Sequence, residues 1–270
     1  MDLKPSVPNL GSAGRFTVAA FAISALLWAA TASADSIEGQ VLGAGAPIAK
    51  STVTLWSASA DAPKQLAQTQ TGDDGRFTLS AEGSPDSILY IVAKGGVPAG
   101  NKGGGDNPAI ALISVVGSKP PAQVVINEMT TVASVWTNAQ FLDGAAIKGN
   151  ALGLRIAASN VPNFVGLETG GWGSAIQDPL NGPQTPTMAN FATLADVLAG
   201  CVTRATANAC DKLFVAATPT TGGAPTDTLA AAESIARYPW YRPKQLTRCS
   251  IRSIQSRKAR TCAPFPICLI

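Results

Sequence analysis

The 270-residue chain contains no histidine. That removes Ser-His-Asp triads, Cys-His pairs and His-ligated zinc together, and with them the commonest general base at neutral pH. Carboxylate, lysine, tyrosine and cysteine chemistry is what remains, and an enzyme is not expected. The most suggestive carboxylates are Glu168 and Asp178, which sit in the stretch ETGGWGSAIQDPLNGPQTPT with Trp172 between them. Two acids beside an indole can bind a sugar or cleave a glycosidic bond. The competing reading, which we prefer, has Trp172 pinning the loop to neighbouring helices while both acids stay solvated. Loops of this length are usually functional or disordered.

Other clusters offer less. Asp73 and Asp74 are adjacent, with no further acid at x-D-x-D spacing, too few oxygens for a hard cation. A turn, not a metal site, is expected there. The Gly-rich GGVPAGNKGGGDNP (95–108) lacks the G-K-[ST] ending of a phosphate loop and leads into no clear helix, so a mobile inter-strand loop is expected. No cofactor is implied. Cys201 and Cys210 frame CVTRATANAC. The spacing is wrong for a C-x-x-C redox site, and in an oxidising compartment the pair should form a structural disulfide. Closing so short a loop stabilises by about 2–3 kcal/mol.

The compartment is read from the front of the chain. Lys4 and Arg15 precede FTVAAFAISALLWAATASA, which ends in Ala32-Ser33-Ala34 before Asp35. A basic region, an apolar core and a small-x-small site make a secretory leader over residues 1–34. An uncleaved anchor is the alternative, because the apolar stretch is near membrane-spanning length. With cleavage, an extracytoplasmic chain (periplasmic or secreted) without a further membrane span is expected. Residues 35–240 hold 11 bases against 16 acids, a net of −5, so nothing there recruits nucleic acid.

Between residues 35 and 127 short β-type runs alternate with turns. SIEGQVLG, STVTLWSA and GDDGRFTLS alternate apolar and polar positions, and Asp74-Gly75 ahead of Phe77 suggests a hairpin. SILYIVAKGG is almost wholly apolar, as a central strand covered on both faces would be. AIALISVVG and AQVVINEMT bring the count to about seven strands, which suggests an antiparallel sandwich of Greek-key type. At Glu128 the period changes to a helical one. NEMTTVASVWTNAQFLDG could be capped by Thr130 or Thr131 and ended by Gly144, with Asn127-Glu128 as a further capping run. Helical spacing continues in GNALGLRIAASNVPNFVGL, TMANFATLADVLAGCV, NACDKLFVAA and TDTLAAAESIARYPW. The fold class expected is α+β: an antiparallel β-sandwich followed by a small helical region over 128–240.

Two resemblances rest on these residues. IEGQVLGAGAPIAKSTVTLWSA, with TQTGDDGRFTLS and ILYIVAKGG, resembles the carboxypeptidase-regulatory-like (transthyretin-like) β-sandwich over residues 36 to about 127. That resemblance implies a non-catalytic prealbumin-like fold serving as a spacer, interaction or carbohydrate-facing module. The segments from INEMTTVASVWTNAQFLDG to PTDTLAAAESIARYPW resemble the helical linker of large exported bacterial proteins in which a propeller of NHL or virginiamycin-B-lyase-like type follows. No propeller sequence follows here, so no lyase residue is carried over.

Residues 241–270 change character. They hold seven Lys or Arg, no acid, and Cys249, Cys262 and Cys268 at spacings that fit no zinc site. Such a tract cannot recover its ordering cost by burial. It is expected to be a disordered tail, read as the product of a shifted reading frame. The function expected is a non-catalytic exported binding or structural module, the N-terminal part of a larger cell-surface or periplasmic protein, with carbohydrate or a cell-surface protein as partner. The alternative is the remnant of a carbohydrate-active or lyase-type propeller protein lacking its catalytic part. Oligomeric state is not readable.

Overall fold

The computed structural model describes Met1 and residues 36–80, 87–101, 103–180, 186–239, 241 and 243–245. The leader with its Ala34–Asp35 junction, and the tail from residue 246 with Cys249, Cys262 and Cys268, lie outside the described residues. The strands are β1 (Ser36–Gly43), β2 (Ala46–Ala49), β3 (Thr52–Ala58), β4 (Lys64–Gln70), β5 (Arg76–Ser80), β6 (Ile88–Lys94), β7 (Val97–Pro98), β8 (Ala111–Gly117) and β9 (Gln123–Ile126). They are followed by α1 (Glu128–Asn138), a small hairpin of β10 (Leu142–Asp143) and β11 (Ala146–Ile147), and five further helices. These are α2 (Ala151–Phe164), α3 (Ser174–Gln177), α4 (Pro186–Val202), α5 (Ala209–Ala217) and α6 (Thr228–Arg237). The class is α+β.

Two sheets share one core. The first runs β5-β1-β2-β7 with β9 added to β1, and the second runs β4-β3-β6-β8. Ile37, Val41, Phe77, Leu79, Val124 and Ile126 of the first pack with Val53, Leu55, Leu89, Ile91, Ala93 and Leu112 of the second. These residues alternate with outward ones along their strands in a period-two pattern, which is how a sandwich is built from strands. One pairing departs from the antiparallel expectation: β9 lies parallel to β1, Gly39 opposite Val124. The turn at Asp74 also departs from a hairpin. Gly75 takes φ +73° and the Asp74 carboxylate accepts the Arg76 N–H at 3.0 Å, but β4 and β5 belong to different sheets. Chain switching between sheets is fixed instead at Thr71, whose buried hydroxyl accepts the Ser51 N–H and donates to the Ile48 carbonyl.

The β6–β8 half of the second sheet is covered twice. Its inner face meets the first sheet, while Tyr90, Val92, Ala111, Ile113 and Val115 on its outer face join a cluster with Val132, Val135, Leu154, Phe191, Leu198 and Leu229 of the helices. That explains the unbroken apolar run of β6, buried from Ile88 to Ala93. The change from strand to helix at residue 127 therefore occurs within one packed unit.

Strand β8 is an edge, and its outward N–H groups need acceptors. Helices supply them. Ala111 N–H donates to the Thr228 hydroxyl at 3.0 Å, Ile113 N–H to Thr131 at 3.1 Å and Val115 N–H to Ser134 at 2.9 Å. Thr131 and Thr228 return hydrogen bonds to backbone carbonyls, of Asn127 and Ala111 respectively. The N-cap of α1 is Asn127, with Thr130 completing a capping box. Thr130 is thus the third residue of the helix and not its cap, and α1 ends before Gly144, which serves the β10–β11 turn at φ +59°.

Candidate functional site

The loop carrying Glu168, Trp172 and Asp178 is folded tightly against the helices. Val165 and Trp172 form an antiparallel bridge, and Gly166 N–H donates to the Gly171 carbonyl at 2.9 Å. Gly170, at φ +66°, approaches Asn127 so closely that a Cβ there would lie 2.4 Å from the Asn127 amide nitrogen, and the same amide donates to the Gly170 carbonyl. The helix cap thereby also holds the loop. The Trp172 ring lies 5.4 Å from Phe191, itself edge-on to Trp136 at 5.4 Å and stacked on Phe164 at 6.2 Å. These rings tie the loop to α1, α2 and α4.

The acids do not converge on that indole. Glu168 is exposed at the tip, and the exposed Asp178 accepts the Leu180 N–H at 2.8 Å, closing the turn after α3. Trp172 is half-buried as a packing residue. Among the described residues no group of three or more His, Cys, Asp or Glu could hold a metal ion. Asp74 is engaged with Arg76 at 3.5 Å across an exposed turn. A void of about 10 Å³ lies between α1, α4 and α6, bordered by Val135, Trp136, Leu198 and Ile235; it is apolar and has room for no more than one water.

Cys201 and Cys210 form a disulfide between the last turn of α4 and the first of α5. The same corner holds the Gly-rich segment at Asp106 and Asn107. Buried Asn107 donates its amide to the carbonyls of Cys201 and Val202 at 3.0 Å each, capping α4. Arg204 donates to the Asp106 carbonyl at 2.9 Å, and the Asp106 carboxylate accepts the Gly96 N–H at 2.7 Å. A backbone carrying many glycines can turn to meet these partners, and that need accounts for the composition as well as mobility does.

A polar network ties the far end of the helical layer to the hairpin. Glu233 accepts the Gly144 N–H at 2.9 Å and pairs with Arg237 at 3.0 Å, while Arg237 also donates to the Ala139 and Leu142 carbonyls. Burial raises the Glu233 carboxyl above its ordinary range, with Arg237 and the Gly144 N–H opposing the rise. Burial likewise pushes the Tyr90 phenol up to about 12, against the Ile147 N–H that it accepts. Both partners are structural, orienting β10–β11 beside β3.

A surface that sequence reasoning did not single out lies on the outer face of β3 and β4. The helices pack on β8 and β6, and among the described residues no helix roofs the β3–β4 half of that face. Its residues are Thr52, Thr54 and Trp56 of β3 opposite Gln70, Gln68 and Gln65 of β4. The three glutamines are exposed and Trp56 is half-buried. Trp56 stacks on Tyr90 at 6.5 Å with 13° between planes and also packs against the cluster shared with the helices. The Gln68 side-chain carbonyl accepts from the Thr54 hydroxyl at 3.4 Å and from the Gln65 amide at 3.3 Å.

No protein-family model matches the chain, and no characterised protein matches it in sequence. Among solved structures, a 9R-lipoxygenase from Cyanothece PCC8801 is similar over 34% of this chain and 16% of its own, at 16% identity and a TM-score of 0.24. The chain thus spans about a sixth of that protein, a likeness too slight to bear on fold or activity.

Proposed function

We propose that this chain is a non-catalytic exported binding module, in which a carboxypeptidase-regulatory-like sandwich presents a recognition surface and the helical layer braces it. The observation that carries this reading is the unroofed β3–β4 face. Uncharged hydrogen-bonding side chains flank an aromatic ring there, on strands that the rest of the fold holds rigid. The carboxylates of the Trp172 loop support it from the other side: Asp178 closes a turn, Glu168 faces solvent, and the indole between them packs on Phe191. The Cys201–Cys210 disulfide accords with life outside the cytoplasm, and carbohydrate or a cell-surface protein is the partner class.

The test is made on exported full chain. Its intact mass should begin at Asp35, and Cys201 and Cys210 should resist alkylation until reduced. Incubation with a panel of neutral and acidic polysaccharides should then release neither new reducing ends nor unsaturated products. Turnover of any of them would overturn the non-catalytic reading.

A further inference from the structure

We infer that the β3–β4 face is a binding site for a neutral glycan, with Trp56 as stacking platform and Thr54, Gln65 and Gln68 as the hydrogen-bonding rim; this rests on the reading of the chain as a binding module. The decisive feature is a β-bulge. Leu55 stands opposite Ala67, but Trp56 stands opposite Gln65, so Leu66 is an extra residue in β4. Both Leu66 and Ala67 pack towards the inner core. In a regular ladder Leu66 would oppose Trp56 and share its face. The bulge turns that leucine inward and places an amide beside the indole. Bulges commonly re-aim a side chain in this way at functional surfaces.

The chemistry of the patch selects the ligand class. A pyranose presents an apolar C–H face and a rim of hydroxyls that both donate and accept. A half-buried indole braced by Tyr90 and standing opposite the exposed Gln65 matches the first. Carboxamides and a hydroxyl match the second, because each offers donors and acceptors without charge. Gln68 lies within hydrogen-bonding reach of Thr54 and Gln65, at 3.4 and 3.3 Å, so a sugar hydroxyl placed there meets donors and acceptors together. The end of the patch around Trp56 carries no charged side chain among its strand partners, Gln65 and Tyr90. Lys94, opposite Thr52, and Lys64, next to Gln65, lie at the margins of the face, so the ring itself meets uncharged partners.

The experiment uses the full exported chain and hexasaccharides of α-1,4-glucan, β-1,4-glucan, β-1,4-mannan and β-1,4-xylan, with the hexamer of galacturonic acid as the charged comparison. Binding is read by titration calorimetry. At least one neutral hexamer should bind with a Kd below about 5 mM, and the acidic hexamer should bind more weakly. Trp56→Leu should weaken that affinity by at least about tenfold, as aromatic anchors at binding sites do. Since loss of the Tyr90 stack can perturb folding, the exposed double variant Gln65→Ala/Gln68→Ala is the second arm. It should lower affinity by at least about fivefold with circular dichroism unchanged. The inference is overturned if no neutral hexamer binds, if affinity survives both variants, or if the acidic hexamer binds better. Release of cleavage products in the same tubes would contradict the non-catalytic reading alone, leaving the site to be judged by the affinities.

Discussion

Strands β8 and β4 are the two edges of one four-stranded sheet, and the protein treats them in opposite ways. Beside β8 lie α1 and α6, whose Thr131, Ser134 and Thr228 hydroxyls stand where the next strand's carbonyls would be. Among the described residues no helix packs beside β4. The outer face of β4 carries glutamines, Lys64 begins the strand and a bulge interrupts it; a lysine and a bulge at an edge discourage pairing with other chains. The difference shows how a polar side chain acquires its role. A buried hydroxyl at an edge is a substitute backbone partner, whereas an exposed amide at the opposite edge remains available to a ligand.

The sharpest way to break this comparison is to open the covered half. Phe191 is fully buried where α4 meets Trp136, Phe164 and Trp172. Phe191→Ala should cost about 3–5 kcal/mol, the removed transfer energy plus an unfilled cavity. Chemical denaturation with far-UV detection would measure it. A loss under about 1 kcal/mol would mean that the rings do not bind the Trp172 loop to the helical layer.

How much of this was readable beforehand depends on which physical force was at work. The β6 run declared itself, because a strand covered on both faces needs apolar residues at every position from Ile88 to Ala93. Cys201 and Cys210 did so by their spacing together with the export expected from the leader. Strand β4 did not, because KQLAQTQ lacks alternation: its bulge spends two successive residues, Leu66 and Ala67, on the core and leaves amides outside. The cap of α1 was left open among Asn127, Thr130 and Thr131 for a related reason. Asn127, Thr130 and Thr131 can each cap, and only the tertiary demand of Ile113 for an acceptor assigns Thr131 to the sheet. The hydroxyl-rich TTVAS on an otherwise apolar helix face was the available sign of that sealed edge. The Trp56 surface left no sign at all, since it exists only where the helices stop.

A second, smaller perturbation tests the sealed edge itself. Thr131→Val keeps the shape but removes the acceptor of the Ile113 N–H, burying an unsatisfied donor. The expected cost is about 1–3 kcal/mol, with faster amide exchange confined to β8 and α1. Serine at the same position restores the acceptor and should recover most of the loss. Equal stability for the Val and Ser variants would show that water, not the helix, can satisfy β8.

The smallest effect is expected on the bare half, and it is the most discriminating. Gln68→Ala also deletes side-chain hydrogen bonds, those with Thr54 at 3.4 Å and Gln65 at 3.3 Å. These bonds are long, and Gln65, like Gln68, is exposed, so water takes over the broken contacts at little cost. Thr54 is nearly buried beneath them, but its hydroxyl is uncovered by the truncation and becomes solvated too. Stability should therefore change by no more than about 0.5 kcal/mol, as for surface positions without a structural task. Denaturation midpoints of Gln68→Ala and Thr131→Val, measured side by side, give the contrast directly. A cost near that of Thr131→Val would mean that the glutamine network holds β4 to β3, and the amides at this edge would then be structural in the same sense as the hydroxyls at the other.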